Sequence, residues 1–492
     1  MKQQLLLLLL IPLINFSQVQ IGQDIDGEAA GDRSGSSVSL SSDGTIVAIG
    51  AINNSYNNAD GFTSGHVRVY ENVSGTWIQL GSDIDGGAMF NQSGYSVSLS
   101  SDGTIVAIGA TGDDDNGINS GHVRVYENIS GTWTQIGSDI DGEAAGDQSG
   151  SSVSLSSNGT ILAIGAPFNV GNGFNSGHVR VYENISGTWT QIGNDIDGEA
   201  VVDESGSSVS LSSDGTILAI GASKNDGNGS NSGHVRVYEN ISGTWTQIGS
   251  DIDGEAAVDE SGSSVSLSLD GTILAIGASK NGGNGLLSGH VRVYENISGT
   301  WTQIGSDIDG EAAGDQSGSS VSLSSDGTIV AIGAKTNEDN GTGSGHVRVY
   351  KNISGTWTQM GSDIDGEAEF DGSGSSVSLS SDGTIVAIGA NSNNGNGTGS
   401  GHVRLYNLSN ELSLKENSLL NFNLYPNPTN NQVKIQLGNS TELQNATIYN
   451  NLGQLILTSK EKVIDVSKIA SGLYIVEIET NKSKGSKKLI IE

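Results

Sequence analysis

The feature that most constrains this chain is a unit of 56 residues that recurs along most of its length. Every histidine stands in the tetrapeptide Gly-His-Val-Arg, and successive histidines are 56 residues apart. The seven are His66, His122, His178, His234, His290, His346 and His402. A fixed period of this size, with glycine-rich turns and without helical periodicity, predicts a repeated β unit.

Each unit contains four segments with the pattern of β-strands, which we call A, B, C and D. In the third unit, Val153 and Leu155 alternate with serines, which suits a strand with two different faces. Asn158-Gly159 is a tight-turn signal, and the apolar run 160–166 suits a strand buried on both faces. The segments His-Val-Arg-Val-Tyr-Glu-Asn and Thr-Trp-Thr-Gln-Ile-Gly-Asn-Asp-Ile supply strands C and D. Four antiparallel strands with short connections predict one blade of a β-propeller.

The two ends of the repeat region predict how the blades close into a ring. The chain has six tryptophans, one in each complete D segment, and the seventh unit ends after its C segment near Asn410. Residues 18–27 match a D segment beyond its tryptophan. We therefore expect residues 18–25 to pair with residues 402–406, which removes two sheet edges. An open solenoid is the alternative, but it would not need an N-terminal fragment that completes the last unit.

The composition limits the chemistry and the partners of the chain. Cysteine is absent, which excludes disulfides, thiolate metal sites and cysteine nucleophiles. The net charge of −33 lies almost entirely before residue 407 and disfavours nucleic acid and anionic membranes as partners. Sequence motifs of common hydrolases and nucleotide-binding enzymes are also missing. We expect no enzymatic activity and assign no catalytic residue.

The N-terminus has the composition of a secretory signal peptide. Lys2 precedes an apolar run, 5–14, that is too short to span a membrane as a mature helix. We expect residues 1–17 to be removed on export. No other apolar run approaches the roughly 20 residues of a membrane helix, so we expect no transmembrane segment in the mature protein.

The strand order predicts two different faces of the propeller. The A–B and C–D turns share one face and are nearly invariant, whereas the B–C and D–A loops share the other. The B–C loops differ strongly between units, as 111–120 and 167–176 illustrate. Variable loops on a uniform frame indicate a surface for a glycan or protein ligand, although unconstrained drift of surface loops explains the variation equally well.

The D–A loops are acidic and offer candidate calcium ligands. In the loop 139–150 these are Asp139, Asp141, Glu143 and Asp147. Ca²⁺ takes 6–8 oxygen ligands, so this set and its equivalents form a speculative Ca²⁺ site. The alternative is that these carboxylates accept hydrogen bonds from turn amides. The repeated histidines suit packing and hydrogen bonding between blades better than a single asymmetric centre.

The units resemble FG-GAP repeats, the family of integrin-α-like seven-bladed propellers. Gly-Ser-Ser-Val-Ser-Leu-Ser stands for the family's Phe-Gly-x-Ser-Val, Ala-Ile-Gly-Ala-Pro (163–167) for Val-Gly-Ala-Pro, and Gly-His-Val-Arg-Val-Tyr for Gly-x-Val-Tyr-Val-Tyr. Calcium-binding members have an Asp-x-Asp-x-Asp-Gly loop between strands A and B, but here 41–44 has only Asp43. The family's calcium sites are therefore not transferred. The resemblance implies adhesion and binding of proteins or glycans.

The composition changes after residue 406. Residues 407–421 have the character of a polar linker, and 422–492 alternate as strands of a small β-sandwich-like domain. This segment is similar to the C-terminal sorting domain of the type IX secretion system of Bacteroidetes. The matching residues are Tyr425, Pro426, Asn427, Pro428, Gly453, Gly472, Tyr474, Lys487 and Lys488. The resemblance implies that the type IX machinery is a partner, and that the protein crosses the outer membrane and is attached to the cell surface or released.

The sequence thus predicts an all-β protein: a seven-bladed β-propeller closed by an N-terminal strand, followed by a small β-sandwich-like domain. The expected domains are a signal peptide (1–17), the propeller (18–406), the linker (407–421) and the sorting domain (422–492). Adhesion or ligand binding through the variable loops is the first functional hypothesis. A structural surface or matrix protein and a polysaccharide-active enzyme are the alternatives. The near-identical blades favour the structural alternative over the enzyme.

Overall fold

The computed structural model describes most of the chain as β-structure. The described residues are 18–54, 63–409, 422–437, 443–450, 454–480 and 484–492. The predicted signal peptide and most of the predicted linker lie outside them. Internal contacts divide the chain into two units, Met1–Ser409 and Asn410–Glu492.

The first unit consists of seven antiparallel sheets, each with the order A-B-C-D. A fifth short strand, D′, pairs with the N-terminal end of each C strand. The single D strand of the sequence prediction is therefore two strands, as Thr132–Gln135 and Ile140–Asp141 show in blade 2. Between them Gly137 has φ 76°, a left-handed conformation that favours glycine and bends the chain away from strand C.

The strands of the seven blades share nearly the same bounds from one unit to the next. The A strands are Ser34–Leu40, Ser93–Leu99, Ser152–Leu155, Ser205–Leu211, Ser261–Leu267, Ser317–Leu323 and Ser373–Leu379. The B strands are Ile46–Ala51, Ile105–Ala110, Ile161–Ala166, Ile217–Ala222, Ile273–Ala278, Ile329–Ala334 and Ile385–Ala390. The C strands are His66–Val73, His122–Ile129, His178–Ile185, His234–Ile241, His290–Ile297, His346–Ile353 and His402–Asn407. The D strands are Thr76–Gln79, Thr132–Gln135, Thr188–Gln191, Thr244–Gln247, Thr300–Gln303, Thr356–Gln359 and Val19–Gln20. The D′ strands are Ile84–Asp85, Ile140–Asp141, Ile196–Asp197, Ile252–Asp253, Ile308–Asp309, Ile364–Asp365 and Ile25–Asp26.

The N-terminal segment completes the seventh blade, which confirms the predicted closure. Val19–Gln20 and Ile25–Asp26 pair with the last C strand as its D and D′ strands. In the other blades the indole Nε1 of the D-strand tryptophan donates to a carbonyl of the preceding blade. Gln18 stands at this position in blade 7, and its Nε2 donates to the carbonyls of Met360 (3.2 Å) and Ser362 (2.7 Å). A glutamine amide therefore bridges the one interface that lacks a tryptophan.

A closed ring of backbone hydrogen bonds links the A–B turns of all seven blades. The amide of Ser42 donates to the carbonyl of Ser101 (2.8 Å), the same contact repeats from blade to blade, and the amide of Ser381 donates back to Ser42 (2.8 Å). Serine hydroxyls add a second set of contacts, in which Ser208 Oγ donates to the carbonyl of Gly262 in the next blade (2.8 Å). This closed ring rules out the open solenoid.

Neighbouring blades approach so closely that strand B needs a glycine at one position. A Cβ added to Gly221 would lie 2.1 Å from the carbonyl oxygen of Gly262, closer than any real contact. Outside this contact each interface has an apolar core, in which Val123 and Val125 of blade 2 pack with Leu155 of blade 3. The histidine, arginine and tyrosine of each C strand occupy the opposite side of the strand, as the alternation predicts.

The second unit contains two small sheets around one core, as predicted for a β-sandwich-like domain. One sheet has the order Asn423–Tyr425, Gln432–Gln436, Val463–Asp465. The other has the order Leu455–Ser459, Leu443–Asn450, Gly472–Thr480, Lys484–Ile491. Alternate residues of both sheets form the core, among them Phe422, Ile435, Ile448, Val476 and Leu489.

A buried carboxylate–amide pair clamps the D–A loop to the B–C loop of the blade that it precedes in blades 1, 2, 3 and 5. In blade 3, Asn169 Nδ2 donates to Asp147 Oδ2 (2.9 Å), and both side chains are buried. In blade 2 the two residue types are exchanged, because Asn91 Nδ2 donates to Asp113 Oδ2 (2.9 Å). The pair keeps one negative charge and one hydrogen bond in either orientation.

This exchange leads to a testable expectation for blade 3. Asn169→Asp places two buried carboxylates in contact, and we expect it to lower the free energy of unfolding by about 2–4 kcal/mol at pH 7. One of the two carboxyls should have a raised pKa, so the loss should diminish as the pH falls below that value. Adding Asp147→Asn recreates the arrangement of blade 2 and should restore most of the stability. Urea unfolding at pH 7 and pH 5 measures both effects, and a double variant no more stable than Asn169→Asp would contradict the clamp.

Candidate binding face

The B–C and D–A loops lie at one end of the propeller, which we call the loop face. Each B–C loop is joined to the following D–A loop by a backbone hydrogen bond, such as Val202 N to Phe174 O (2.8 Å). We call the two residues of each such bond a loop pair. The seven loop pairs are Thr63 and Phe90, Ile118 and Gly146, Phe174 and Val202, Ser230 and Val258, Leu286 and Gly314, Thr342 and Phe370, and Thr398 and Gly31.

Six of the seven loop pairs expose at least one large apolar side chain. The exposed fractions are 56% for Phe90, 73% for Ile118, 69% for Phe174, 43% for Val202, 49% for Val258, 78% for Leu286 and 62% for Phe370. The residue type changes from blade to blade, and the apolar residue lies in either loop. The pair of Thr398 and Gly31 is the exception. The variable positions therefore keep an exposed apolar character although nothing in the blade cores requires it.

Four of these apolar side chains occupy strained backbone positions. Val202 and Val258 have φ of 68° and 75°, and Phe90 and Phe370 have φ of 65° and 66°. A left-handed conformation is unfavourable for bulky residues, above all β-branched ones, and costs on the order of 1–3 kcal/mol. The equivalent positions in the other three blades are glycines: Gly31, Gly146 and Gly314. Folding alone would favour glycine at all seven positions.

The four candidate calcium ligands of the loop 139–150 point in different directions. Asp139 Oδ1 accepts a hydrogen bond from Gln135 Nε2 (2.6 Å), and its Oδ2 lies 3.8 Å from His122 Nδ1 of the same blade. Glu143 Oε2 instead lies 3.8 Å from Nδ1 of His178 in the next blade. These two carboxylates therefore belong to two successive histidine clusters.

The other two candidates, Asp147 and Asp141, lie apart from each other. Asp147 Oδ2 accepts hydrogen bonds from the amide of Ala144 (3.0 Å) and from Asn169 Nδ2, as in a loop clamp. Asp141 lies on strand D′, and burial is the main cause that raises the pKa of its carboxyl. Binding of Ca²⁺ by this loop stays a prediction.

The structure brings carboxylates of two successive repeats to five of the seven buried histidines, a grouping that the sequence analysis missed. Around His178 Nδ1 lie Glu143 Oε2 of the preceding D–A loop and Asp195 Oδ2 of the same blade, both at 3.8 Å. Arg180 Nη1 lies 3.9 Å from the other oxygen of Glu143. Burial, with Arg180 beside it, lowers the pKa of His178 to about 4, so the imidazole is neutral at pH 7. The 56-residue period hides this cluster because its members come from different repeats.

In the C-terminal domain the first group of predicted sorting residues contacts the last strand. Asn427 Nδ2 donates to the carbonyl of Lys488 (2.7 Å), and Asn427 Oδ1 accepts from the amide of Ile490 (2.9 Å). Tyr425 is 67% exposed. Gly453 lies outside the described residues.

The second group of predicted sorting residues lies on the last two strands. Tyr474 is buried, and its hydroxyl donates to the carbonyl of Ala470 (2.7 Å) just before Gly472 begins the strand. The ammonium of Lys487 lies 5.6 Å from the centre of the Phe422 ring, a cation–π contact. These residues tie the ends of the small domain together. Within the described ranges, no helix combines the length and apolar character needed to cross a membrane.

The comparisons with known proteins identify two families in this chain. Residues 423–492 match the secretion system C-terminal sorting domain, and residues 196–238 match the FG-GAP repeat. No curated protein is significantly similar to the chain in sequence.

Solved structures with a similar shape are distant in sequence. Kuenenia stuttgartiensis hydrazine synthase is 12% identical, with a TM-score of 0.47 over 75% of this chain and 94% of its own. U3-55K is 13% identical, with a TM-score of 0.47 over 78% and 98%. The periplasmic gluconolactonase of Pseudomonas aeruginosa is 15% identical, with a TM-score of 0.44 over 87% and 95%. At these values the similarities carry no conclusion about function.

The family matches agree with the seven sheets of the first unit and the two-sheet domain of the second. The chain thus contains an FG-GAP repeat at residues 196–238, within a β-propeller, and a secretion system C-terminal sorting domain at residues 423–492.

Proposed function

We propose that this protein is a non-enzymatic binding protein whose loop face contacts an extracellular protein through the apolar side chains of its loop pairs. The observation that carries the proposal is the placement of Val202, Val258, Phe90 and Phe370 at left-handed positions where other blades have glycine. At Val202, Val258 and Phe370 a strained side chain that remains exposed adds little to the fold, and such strain concentrates at functional sites. Contact with a partner would bury these side chains in an interface.

The apolar side chains of the loop pairs favour a protein ligand over a glycan ligand. Flat sugar rings are bound by aromatic faces, whereas Ile118, Leu286, Val202 and Val258 are aliphatic and suit the apolar core of a protein interface. The net charge of −33 further favours a partner with a basic rim around an apolar centre. Adhesion at the cell surface is one setting in which such an interface would act.

Two alternatives are weaker. A structural surface protein would explain the uniform blades but not the strained apolar residues. A polysaccharide-active enzyme needs a general acid and base in different environments, whereas the carboxylates of the described loops recur from blade to blade with similar surroundings. The exchange in blade 2 alters a buried clamp and creates no separate catalytic pair.

Replacing the strained residues by glycine tests the proposal with opposite effects on stability and binding. The combined variant Phe90→Gly, Val202→Gly, Val258→Gly and Phe370→Gly copies Gly31, Gly146 and Gly314. We expect its melting temperature to rise by several degrees, because each change relieves about 1 kcal/mol of strain. We expect its binding to drop at least tenfold in a screen of the full chain against displayed secreted proteins and a glycan array.

A matched control removes apolar surface from the opposite turns. Ile129→Ser and Ile185→Ser change side chains that are both 55% exposed and stand at the ends of C strands, next to the C–D turns. These changes should leave binding unaltered. Equal loss of binding in the control, or full binding by the glycine variant, would contradict the proposed interface.

The sorting domain supports secretion through the outer membrane to the cell surface or the medium. We propose that the type IX machinery recognises residues 422–492, which follow the predicted linker 407–421, as a folded unit. Asn427 and Lys487 would contribute by holding the ends of the domain together.

Removal of residues 410–492 tests this role. In a bacterium with a type IX system we expect the shortened chain to fold but remain in the periplasm, whereas the full chain reaches the surface or medium. Immunoblots of periplasmic, outer-membrane and medium fractions measure the distribution. A fusion of residues 410–492 to an unrelated exported protein should reach the surface or medium, and its retention in the periplasm would contradict the assignment.

A further inference from the structure

Blade 6 brings three carboxylates to one buried imidazole, which together make four potential metal ligands. Nδ1 of His346 lies 4.0 Å from Glu311 Oε2, 3.9 Å from Asp339 Oδ2 and 4.0 Å from Asp363 Oδ2. His346 is fully buried, and neither of its ring nitrogens has a hydrogen-bond partner. The three oxygens are too far away for hydrogen bonds and nearly equidistant from the nitrogen. The three oxygens and this nitrogen all lie within 4.8 Å of one another.

The charges around this imidazole do not balance. The carboxylates of Glu311, Asp339 and Asp363 lie together around this imidazole. Arg348 Nη1 lies 3.6 Å from Glu311 Oε1 and offsets one of the three carboxylates. Two negative charges are left, which a divalent cation would neutralise.

We propose that Glu311, Asp339, His346 and Asp363 bind a divalent transition-metal ion of the Zn²⁺ class between blades 5 and 6. An imidazole with carboxylates suits Zn²⁺, whereas Ca²⁺ takes oxygen ligands alone. Ligands of tetrahedral Zn²⁺ lie about 3.3 Å apart, whereas these four atoms lie within 4.8 Å of one another, so some pairs need to close by up to about 1.5 Å. The side chain of Asp339 is 58% exposed, and its movement towards the ion would replace the 3.4 Å hydrogen bond that Asn337 Nδ2 donates to Asp339 Oδ2.

Asp339 distinguishes this cluster from the clusters of most other blades. Its equivalents in blades 3, 4, 5 and 7 are Gly171, Gly227, Gly283 and Gly395. Without the fourth ligand, a cluster such as Glu143, His178 and Asp195 keeps only three.

Blade 2 has an aspartate at the position of Asp339 but lacks another ligand. Asp115 is this equivalent, but Gly87 stands where blade 6 has Glu311. The carboxylate nearest to His122, that of Asp113, already accepts the hydrogen bond from Asn91. Blade 6 therefore combines all four groups, each with an oxygen or nitrogen directed at the others.

Titration of the full chain with Zn²⁺ tests the site against a matched control in the same loop. Asp339→Gly introduces the glycine that blades 3, 4, 5 and 7 have at this position. The control Glu338→Gly introduces the residue that blade 5 has there, Gly282, and removes an exposed carboxylate outside the cluster. Calorimetry at about 0.15 M salt, which screens weak surface binding, should show one tight Zn²⁺ in the parent and in Glu338→Gly. Asp339→Gly should bind this ion at least about tenfold more weakly. Equal affinities of the two variants, or no tight ion in the parent, would overturn the proposal.

A gain of binding provides an independent test. Gly171→Asp adds the missing carboxylate to the cluster of Glu143, His178 and Asp195. The position has an ordinary backbone conformation, and an added Cβ would meet only side-chain oxygens of Asn169 and Asp197, at 3.0 and 3.3 Å. The variant should bind a second tight Zn²⁺, and Co²⁺ should give visible absorption bands of a low-symmetry site at both. An unchanged stoichiometry, together with an unchanged melting temperature that shows a folded protein, would contradict the assigned ligand set.

Discussion

Direct backbone contact between neighbouring blades is the constraint on which the rest of this structure depends. Strand B approaches the next A strand so closely that Gly221 faces the carbonyl of Gly262, and Ser208 Oγ donates to the same carbonyl. Seven such contacts must repeat at nearly the same angle, because the hydrogen bonds of the A–B turns return to Ser42 only when the ring closes. This requirement explains why strands A and B hardly vary, while the loops at the opposite end differ freely.

The period of the sequence was sufficient to predict the blades, but it could not show the contacts between repeats. Strand patterns, turn signals and the fragment 18–25 correctly predicted seven blades and the closing partner. The serines of strand A have the pattern of a polar face, yet residues such as Ser208 bridge blades. Glu143 was predicted to act with other carboxylates of its own loop, whereas its carboxylate lies near His178 of the next unit. A linear period assigns each residue to its own repeat, so groups that form between repeats remain hidden until the register of the sheets is known.

Differences between the repeats identify which interactions the fold needs. In blade 2 the clamp is reversed to Asn91 and Asp113, and the same blade lacks the glutamate that other blades place near the histidine. Asp113 Oδ2 lies 3.2 Å from His122 Nδ1, so one carboxylate serves the clamp and the imidazole together. A buried imidazole with a carboxylate beside it is thus kept in both arrangements. The exchange also shows that the clamp depends on one charge and one amide, and not on which loop carries them.

Whereas the clamp residues stabilise the fold, several residues of the loop pairs lower its stability. At Val202 and Val258 the chain keeps β-branched residues in a conformation that glycine adopts without strain, although neither side chain packs into a core. A cost on the order of 1–3 kcal/mol at each position is bearable because both ends of the loop are held by strands of a closed ring. The closed ring of blades therefore stabilises the loops enough to tolerate strained, exposed apolar residues. Folding alone would favour glycine at these positions, so the apolar surface of six of the seven loop pairs agrees with the proposed contact with a partner.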